Sequence, residues 1–554
     1  MTEENYWYSS LEPALEAKAT AEARIIVDAF RDREISIEIG GVRDHAEEDH
    51  DLHPGGIAYM YATDHILTRA QYLGGLGGIH ESQPIRDARV RRGVLDVLET
   101  HGVGRVAVRP VIGDIVLVHL NPEREKGASG GNGESHGGND ETPGGEGGTA
   151  GGDQPDVLEL LERIDDEVGV GIATPDHVMT AASHMTPCSA TEPQQVFPTA
   201  GPYPAACRDG GARVRIFQAD TGLVAGAAET FPWLAGVYGD PDPRAGTGPA
   251  STISPYGGHG TFVAGVMRCM APQAQVHVEN IFGTGGSALE SEVAKRLNAA
   301  FGFGFGIVHI TASCHTRKNV PPVALEAWLE RLRSYKGVLC VAEAGNNKTQ
   351  RPAWPGAFPD VLSVGALAFD WRRRADFSNY GGWVDVYAPG ENLINAIGSG
   401  TYTCQIPPDV GQVRTFSGLA QWSGTSFSAP IVTGMIAARM ARCGESAREA
   451  AAALLAKARA QTIPGVGPVL FPCCDDDDDD EHCDGCDGGR CGRGCSCGSC
   501  GSDCGGCGDD CGCGGGHRRR RPMPRAERQA EITDRGSPYG FRFRGDFWPR
   551  RLPG

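Results

Sequence analysis

The chain has 554 residues, which exceeds the size of a single compact core and predicts two or three domains. Its formal net charge is -19, so nucleic acid is not expected as a main partner, because binding to phosphates requires a basic surface. No apolar run reaches the roughly 18 residues that a membrane span needs, so no membrane partner is expected either.

The N-terminal segment, residues 1–54, is acidic and mixed in character, and its pattern assigns it to no fold. It begins Met-Thr-Glu-Glu-Asn-Tyr and has neither the basic start nor the apolar stretch of a Sec signal peptide. This predicts a cytoplasmic protein, with secretion by another route left open.

Residues 55–200 show the element order β-α-β-β-α-β, which is that of a ferredoxin-like α+β unit. The strands are predicted from apolar runs, and the helices from apolar residues that share one face. In chain order these elements are a strand over 57–68, a helix through Val90, Val94, Val97 and Leu98, strands over 106–111 and 115–120, a helix through Val157, Leu160, Leu161, Ile164 and Val168, and a strand over 170–179. A glycine-rich stretch, 127–153, interrupts the unit as a flexible linker.

Three short motifs carry candidate catalytic residues. Asp220 ends a predicted strand, a common place for a catalytic group in an open α/β sheet. His259 lies between glycines at the start of an apolar segment. Ser426 precedes an apolar run, 431–438, with the composition of a buried helix. The unpaired N–H groups at the start of such a helix can hold an oxyanion.

The order Asp220, His259, Ser426 is the chain order of the subtilisin triad. With its flanking segments, the chain resembles the subtilisin family (subtilase, S8-type) of serine peptidases. The resemblance is carried by Asp-Thr-Gly at 220–222, His-Gly-Thr at 259–261, Gly-Thr-Ser-Phe-Ser-Ala-Pro at 424–430 and an oxyanion-like segment, Ala-Gly-Asn, at 344–346. It spans about half the chain and implies a peptidase domain over 205–472.

The resemblance implies an α/β domain in which helices sandwich a parallel sheet. Apolar runs over 263–270, 306–312, 337–342 and 361–367 alternate with helical patterns and are predicted as strands. A helical stretch is predicted over 288–301.

The resemblance also implies a serine endopeptidase that acts on proteins or peptides. Asp220 would orient His259, and His259 would take the proton of Ser426, which forms the acyl-enzyme. Asn346 would stabilise the oxyanion. This chemistry needs no metal cofactor; structural calcium is frequent in the family, but no loop of this sequence identifies a calcium site. The alternative is a catalytically silent, peptidase-like binding or scaffold protein with a metal-binding tail.

Several positions near the substrate depart from the family pattern. Thr311 keeps a hydroxyl, but Ser313 replaces a glycine and would narrow the first specificity pocket. Glu343 replaces an alanine near the wall of that pocket. One hypothesis is that Glu343 selects Lys or Arg at the cleaved position; the other is that it points away or pairs with a local arginine. Gly345 completes the predicted substrate-binding residues, and Gln218 is expected to loosen the strand that carries the aspartate.

Peptidases of this family are often preceded by a propeptide of ferredoxin-like fold, so the resemblance implies that residues 55–200 are a propeptide-like domain. Such a domain would act as a folding chaperone, because non-local parallel strand pairing is slow. It would also block the active site as an intramolecular inhibitor. An unrelated binding domain is the alternative.

The C-terminal part of the chain has low complexity over 473–521, where Cys, Gly and Asp dominate, and ends in an extension over 522–554. Twelve of the 19 cysteines lie between Cys473 and Cys513, and their Cys-x-x-Cys spacings could chelate zinc. Because no apolar core fixes one geometry there, a disordered, loosely metal-binding or oxidisable tail is predicted. A defined zinc or iron–sulfur site is the alternative. Several of the other cysteines lie in apolar runs and are expected in the core.

Overall fold

The computed structural model describes residues 21, 23–41, 57–74, 92–120, 156–181, 191–197, 200–207, 210–283 and 285–472. All of the described residues belong to one compact unit. The glycine-rich linker 127–153, the cysteine-rich tail from 473 and the extension 522–554 lie outside the described residues.

The first part of the compact unit is an antiparallel sheet with two helices. The elements are β1 Ile37–Gly41, β2 Ile57–Arg69, α1 Val94–Thr100, β3 Ala107–Ile112, β4 Ile115–His119, α2 Val157–Glu167 and β5 Ala173–Ala181. The strands run in the order β5-β2-β4-β3, with β1 paired to the first half of β2. Pairings β2–β5, β2–β4 and β3–β4 are all antiparallel, as in a ferredoxin-like unit.

The predicted order β-α-β-β-α-β is therefore present, and the structure adds elements before it. Residues 23–31 are helical and pack with β1 on Met60, Ala62 and Val178. The sequence analysis does not predict this helix, because its apolar pattern is short and the strands on which it packs lie far along the chain.

The second part of the unit is a parallel sheet between helices. The elements are β6 Arg215–Asp220, α3 Ala227–Thr230, β7 Val237–Gly239, β8 Thr247–Ile253, α4 His259–Met270, β9 Gln275–Asn280, β10 Ser287–Leu289, α5 Glu290–Leu297, β11 Ile307–Ile310, β12 Ala312–Ser313, α6 Val323–Leu332, β13 Leu339–Glu343, β14 Val361–Leu367, β15 Val386–Pro389, β16 Leu393–Thr403, β17 Val413–Trp422, α7 Thr425–Cys443 and α8 Ala447–Ala460. Seven of the strands run in the order β15-β14-β13-β11-β6-β9-β7, and all their pairings are parallel.

Helices cover both faces of this sheet because successive residues of each strand point to opposite sides. In β6, Ile216 packs into the cluster that contains α4, α7 and α8, whereas Phe217 packs into the cluster that contains α5 and α6. The near-continuous apolar character of the strands follows from burial on both faces. The predicted helix-sandwiched parallel sheet is confirmed.

The strand predicted over 263–270 is wrong, because these residues belong to helix α4. Every residue of α4 is buried, so the helix has no polar face that would reveal its period. A short apolar run does not distinguish a buried strand from a buried helix. The other three runs overlap β11, β13 and β14, as predicted.

The antiparallel sheet also packs on both faces. Ile66 and Val118 contribute to the cluster that contains α1 and α2. Leu67 and Met179 contribute to the cluster that contains α5 and α6 of the second part. The two parts therefore share one apolar core, with α5 and α6 between the two sheets.

Four of the five cysteines with free thiols in the described residues are buried, as expected for core residues: Cys269, Cys314, Cys340 and Cys404. Within the described part of the chain, every helix is too short or too polar to cross a membrane.

Candidate active site

A buried hydrogen bond joins the first two predicted catalytic residues. Asp220 is the last residue of β6 and His259 the first residue of α4, and neither is exposed to solvent. His259 Nδ1 lies 2.8 Å from Asp220 Oδ1. Because an ionised carboxylate only accepts hydrogen bonds, Nδ1 carries the proton and Nε2 is the basic nitrogen of the neutral ring.

Two glycines bring α4 close enough for this bond. Gly258 precedes the helix with φ of +85°, a conformation that glycine adopts without steric cost. At Gly260, a Cβ atom would lie 2.4 Å from the carbonyl oxygen of Gly222, the last residue of the Asp-Thr-Gly motif. The glycines on either side of His259 therefore set its position.

The carboxylate of Asp220 receives further hydrogen bonds from its neighbours. Gln218 Nε2 donates to Asp220 Oδ2 at 3.0 Å and to the carbonyl of Gly260 at 2.9 Å. The expectation that Gln218 loosens the strand is wrong, because its buried amide ties β6 to the first turn of α4. Thr311, placed directly before β12, donates its hydroxyl to Asp220 Oδ2. Thr311, which the sequence predicts to bind substrate, therefore directs its hydroxyl to Asp220 in this structure.

Asp242 accepts hydrogen bonds from backbone groups next to His259, and the sequence analysis does not identify it. Its Oδ2 accepts the Gly258 N–H at 2.7 Å, and its Oδ1 accepts the Arg244 N–H at 3.0 Å. The sequence signal is an aspartate before a proline, which is typical of a turn whose side chain bonds nearby backbone.

Ser426 lies in the first turn of α7, as its motif predicts, and is fully buried. Its hydroxyl donates a hydrogen bond to Glu343 Oε2 at the end of β13. His259 Nε2 has no hydrogen-bond partner within the described residues. The structure thus joins Asp220 to His259 but does not join His259 to Ser426.

Two further hydroxyls lie beside Glu343. Ser313 donates to its Oε1 at 3.3 Å, and the hydroxyl oxygen of Thr425 lies 3.3 Å from its Oε2. The hypothesis that Glu343 points away or pairs with a local arginine is wrong. Its carboxylate faces the site, and no arginine among the described residues pairs with it.

Asn346 lies beside the first turn of α7. Its Oδ1 accepts both the backbone N–H and the hydroxyl of Thr425, each at 2.8 Å. These two bonds fix the amide plane next to Ser426. The preceding Gly345 has φ of +91°, and its carbonyl accepts the N–H of Asn379 at 2.9 Å.

The buried charges of the site influence one another. Burial alone would raise the pKa of Asp220, but the charge and hydrogen bond of His259 hold it below its usual value. Burial alone would lower the pKa of His259, yet the charge and hydrogen bond of Asp220 raise it above its usual 6.5. Burial raises the pKa of Glu343, although the Ser426 hydrogen bond and the charge of His259 oppose the rise. The site therefore favours a histidine that gains a proton readily.

The last strand of the antiparallel sheet lies along the edge beside these residues. In β5, Ala181 pairs with Ala312 and Thr180 pairs with Ser313 of β12. On its other side, Val178–Thr180 pairs with β10. A stretch of the N-terminal domain therefore forms an extended antiparallel strand between two strands of the second part, directly next to Thr311.

Buried polar contacts hold β5 against the helices behind it. Asp176 accepts the backbone N–H of Ser291 at 3.0 Å and its hydroxyl at 2.6 Å, at the start of α5. His177 Nδ1 lies 3.4 Å from Glu290 Oε2, and its Nε2 accepts the N–H of Arg317 at 3.1 Å. The first pair places a carboxylate at a helix N-terminus, where negative charge is stabilised.

The model of the Subtilase family matches residues 219–480. A thermophilic serine proteinase of Bacillus sp. (strain AK1) is 30% identical over 190 residues, which cover 32% of this chain and 41% of that protein. Subtilisin Savinase of Lederbergia lenta is 27% identical over 243 residues, which cover 41% of this chain and 76% of that enzyme. The chain thus spans less than half of the first relative's length.

A solved structure that resembles the chain is fervidolysin from Fervidobacterium pennivorans, described as a keratinolytic enzyme related to subtilisin. It has a TM-score of 0.45 and 16% identity, over 74% of this chain and 60% of that chain. The family match, the two sequence relatives and the helix-sandwiched parallel sheet agree with one another. Over residues 219–480 the chain is therefore similar to the subtilase family, and its helix-sandwiched parallel sheet is a subtilisin-like α/β fold.

Proposed function

We propose that this protein is a serine endopeptidase that uses Asp220, His259 and Ser426, and that its N-terminal domain is an intramolecular inhibitor of that activity. The observation that carries the proposal is the buried 2.8 Å bond between Asp220 and His259, next to a serine in the first turn of a buried helix. The substrates are proteins or peptides.

Each residue has one task in this mechanism. His259 Nε2 takes the hydroxyl proton of Ser426 while the Oγ–carbonyl carbon bond forms. His259 then gives this proton to the leaving amine nitrogen as the C–N bond breaks. Water then attacks the acyl-enzyme while His259 Nε2 takes its proton, and His259 returns this proton to Ser426 as the ester bond breaks. Asp220 holds the ring in the required tautomer and stabilises the imidazolium, and Thr311 and Gln218 hold Asp220.

Asn346 stabilises the oxyanion in this proposal. Its Oδ1 is held by Thr425, so the donor end of the amide is oriented by the residue that precedes the nucleophile. Removing one oxyanion donor slows comparable enzymes by about 10²- to 10³-fold.

The inhibitor role of the N-terminal domain rests on strand β5. A peptide substrate commonly binds such a site by adding a strand to an exposed edge. Here β5 already occupies the edge of β12 beside Thr311, so a substrate must displace it. The shared apolar core and the bond between Asp176 and Ser291 hold the domain in place. The same contacts would let the domain guide folding of the parallel sheet.

The test is covalent labelling of the full chain with a fluorophosphonate, beside Ser426→Ala and Ser428→Ala. Ser428 is a matched control, because it is a buried serine in the same helix that the mechanism does not use. We expect label on the wild type and on Ser428→Ala, and none on Ser426→Ala. If none of the three is labelled, even after mild treatment that displaces β5, the chain is a binding or scaffold protein.

A further inference from the structure

Glu343 is a fully buried carboxylate beside the nucleophile. In the described part of the chain, the hydroxyls of Ser313 and Ser426 donate to it, and the Thr425 hydroxyl, which donates to Asn346, lies 3.3 Å away. No lysine or arginine among the described residues forms an ion pair with it. Burying a carboxylate without a lysine or arginine partner costs free energy, and a cationic ligand would offset that cost.

The place of Glu343 relative to a substrate follows from its bond to Ser426. Before attack, the substrate carbonyl carbon must lie about 3–3.5 Å from the serine oxygen. The Cα atom on the acyl side is one bond further, so it lies within roughly 7 Å of the Glu343 carboxylate. An extended lysine or arginine side chain can cover such a distance, whereas a short side chain cannot reach the carboxylate.

We infer that Glu343, together with Ser313, forms a binding site for the cationic side chain of the substrate residue on the acyl side of the cleaved bond. The peptidase would therefore select arginine or lysine there. This inference rests on the proposed endopeptidase function and deepens it by naming the substrate class. A carboxylate binds a guanidinium in a bidentate manner and an ammonium as a point charge.

Binding of the cation would also align the nucleophile. At present Glu343 accepts the hydrogen bond of the Ser426 hydroxyl. A guanidinium or ammonium would occupy the carboxylate oxygens and release that hydroxyl toward His259 Nε2, which has no partner among the described residues. Binding of the cation to Glu343 thus both selects the substrate and lets Ser426 bond to His259.

The sequence of the inhibitor strand agrees with this selectivity. The stretch 164–207, which includes β5, contains no lysine or arginine. A strand without a cation can occupy the edge of β12 without supplying the side chain that Glu343 selects. The chain would therefore inhibit itself without being a good substrate.

The experiment compares peptide substrates that differ only in the residue before the cleaved bond: arginine against citrulline, and lysine against norleucine. Citrulline matches arginine in length and shape but has no charge. The full chain is used, because competition by β5 lowers kcat/KM equally for all substrates and cancels in the ratio. We expect arginine to exceed citrulline by on the order of 10- to 100-fold.

Two variants assign the preference to Glu343. In Glu343→Gln and Glu343→Ala, the arginine-to-citrulline ratio should fall to within a fewfold of 1, while cleavage of the norleucine peptide persists. Fluorophosphonate labelling shows separately that each variant is folded and active. The wild-type ratio alone tests the selectivity if a variant does not fold.

Three results overturn the inference. Equal cleavage of arginine and citrulline peptides by a labelled wild type would refute the cation site but not the proposed function. Loss of activity on every peptide in both variants would make Glu343 a catalytic base instead. A wild type that neither takes the label nor cleaves any peptide would refute the proposed function, and the cation site with it.

Discussion

The hydroxyl of Ser426 donates its hydrogen bond to the carboxylate of Glu343, at the carboxyl end of strand β13. The basic nitrogen of His259 has no partner within the described residues, although Asp220 holds the opposite nitrogen. The hydroxyl of Ser426 is therefore engaged by a carboxylate at a position where the family pattern has alanine. Strand β5 occupies the neighbouring edge. In the proposed mechanism, activity therefore depends on what displaces β5 and on what Glu343 binds.

The first prediction concerns Asp220. Asp220→Asn should lower kcat by about 10⁴-fold, because the amide would favour the wrong tautomer of His259. The buried volume is unchanged, so the melting temperature should stay close to that of the wild type although the rate falls. Steady-state kinetics on an arginine peptide measure the loss, and the exposed Asp376→Asn is the matched control. An asparagine variant with more than a tenth of wild-type activity would contradict the proposed role.

The second prediction concerns pH. The pKa of His259 is raised above 6.5, because Asp220, with smaller contributions from Glu343 and Asp242, outweighs the effect of burial. Only neutral His259 can accept the serine proton, so kcat/KM should rise with pH through a midpoint above 6.5. Glu343→Gln removes one negative charge and should move that midpoint to lower pH. The reverse movement, or a wild-type midpoint below 6.5, would contradict the assignment.

The same shift fixes the sign of a stability effect. A raised folded-state pKa means that protonated His259 stabilises the folded protein. This contribution is fully present below the unfolded-state pKa and is lost as the pH rises through the folded-state pKa.

The third prediction concerns the inhibitor contact at Asp176. Asp176→Ala leaves two buried donors of Ser291 without their acceptor, which weakens docking of the N-terminal domain. Peptide hydrolysis by the full chain should therefore rise, by about 5- to 100-fold. The exposed Glu159→Ala, on helix α2 of the same domain, is the control and should change nothing. Unchanged hydrolysis by Asp176→Ala, at full fluorophosphonate labelling, would show that β5 is not the inhibitor.

The fourth prediction concerns self-cleavage. Because 164–207 lacks lysine and arginine, the wild-type chain should stay intact around the end of β5. Ala182→Arg supplies a cation directly after the paired residue Ala181 and should cause cleavage there. Intact mass and N-terminal sequencing measure this, and Ala182→Arg combined with Ser426→Ala should remain whole. Efficient wild-type cleavage after an apolar residue in this stretch would contradict the selectivity.

Much of this protein could be predicted locally. Asp220 at a strand end, His259 between glycines and Ser426 before an apolar helix are chemical signals contained in a few adjacent residues. The element order of the N-terminal domain also follows from local periodicity, because strands and amphipathic helices repeat at different intervals. Helix α4 was mistaken for a strand, since a helix buried on all sides has no such periodicity.

The tertiary structure alone decided the contacts between distant segments. Glu343 and Ser426 are 83 positions apart, and whether the carboxylate meets an arginine or the nucleophile depends on how β13 and α7 pack. The pairing of Thr180 with Ser313 likewise joins two domains through backbone groups that carry no sequence signal. The sequence by itself thus determined which chemical groups are available and the local elements that carry them. Their partners were set by long-range packing, because burial and hydrogen bonding are satisfied over the whole fold rather than within a segment.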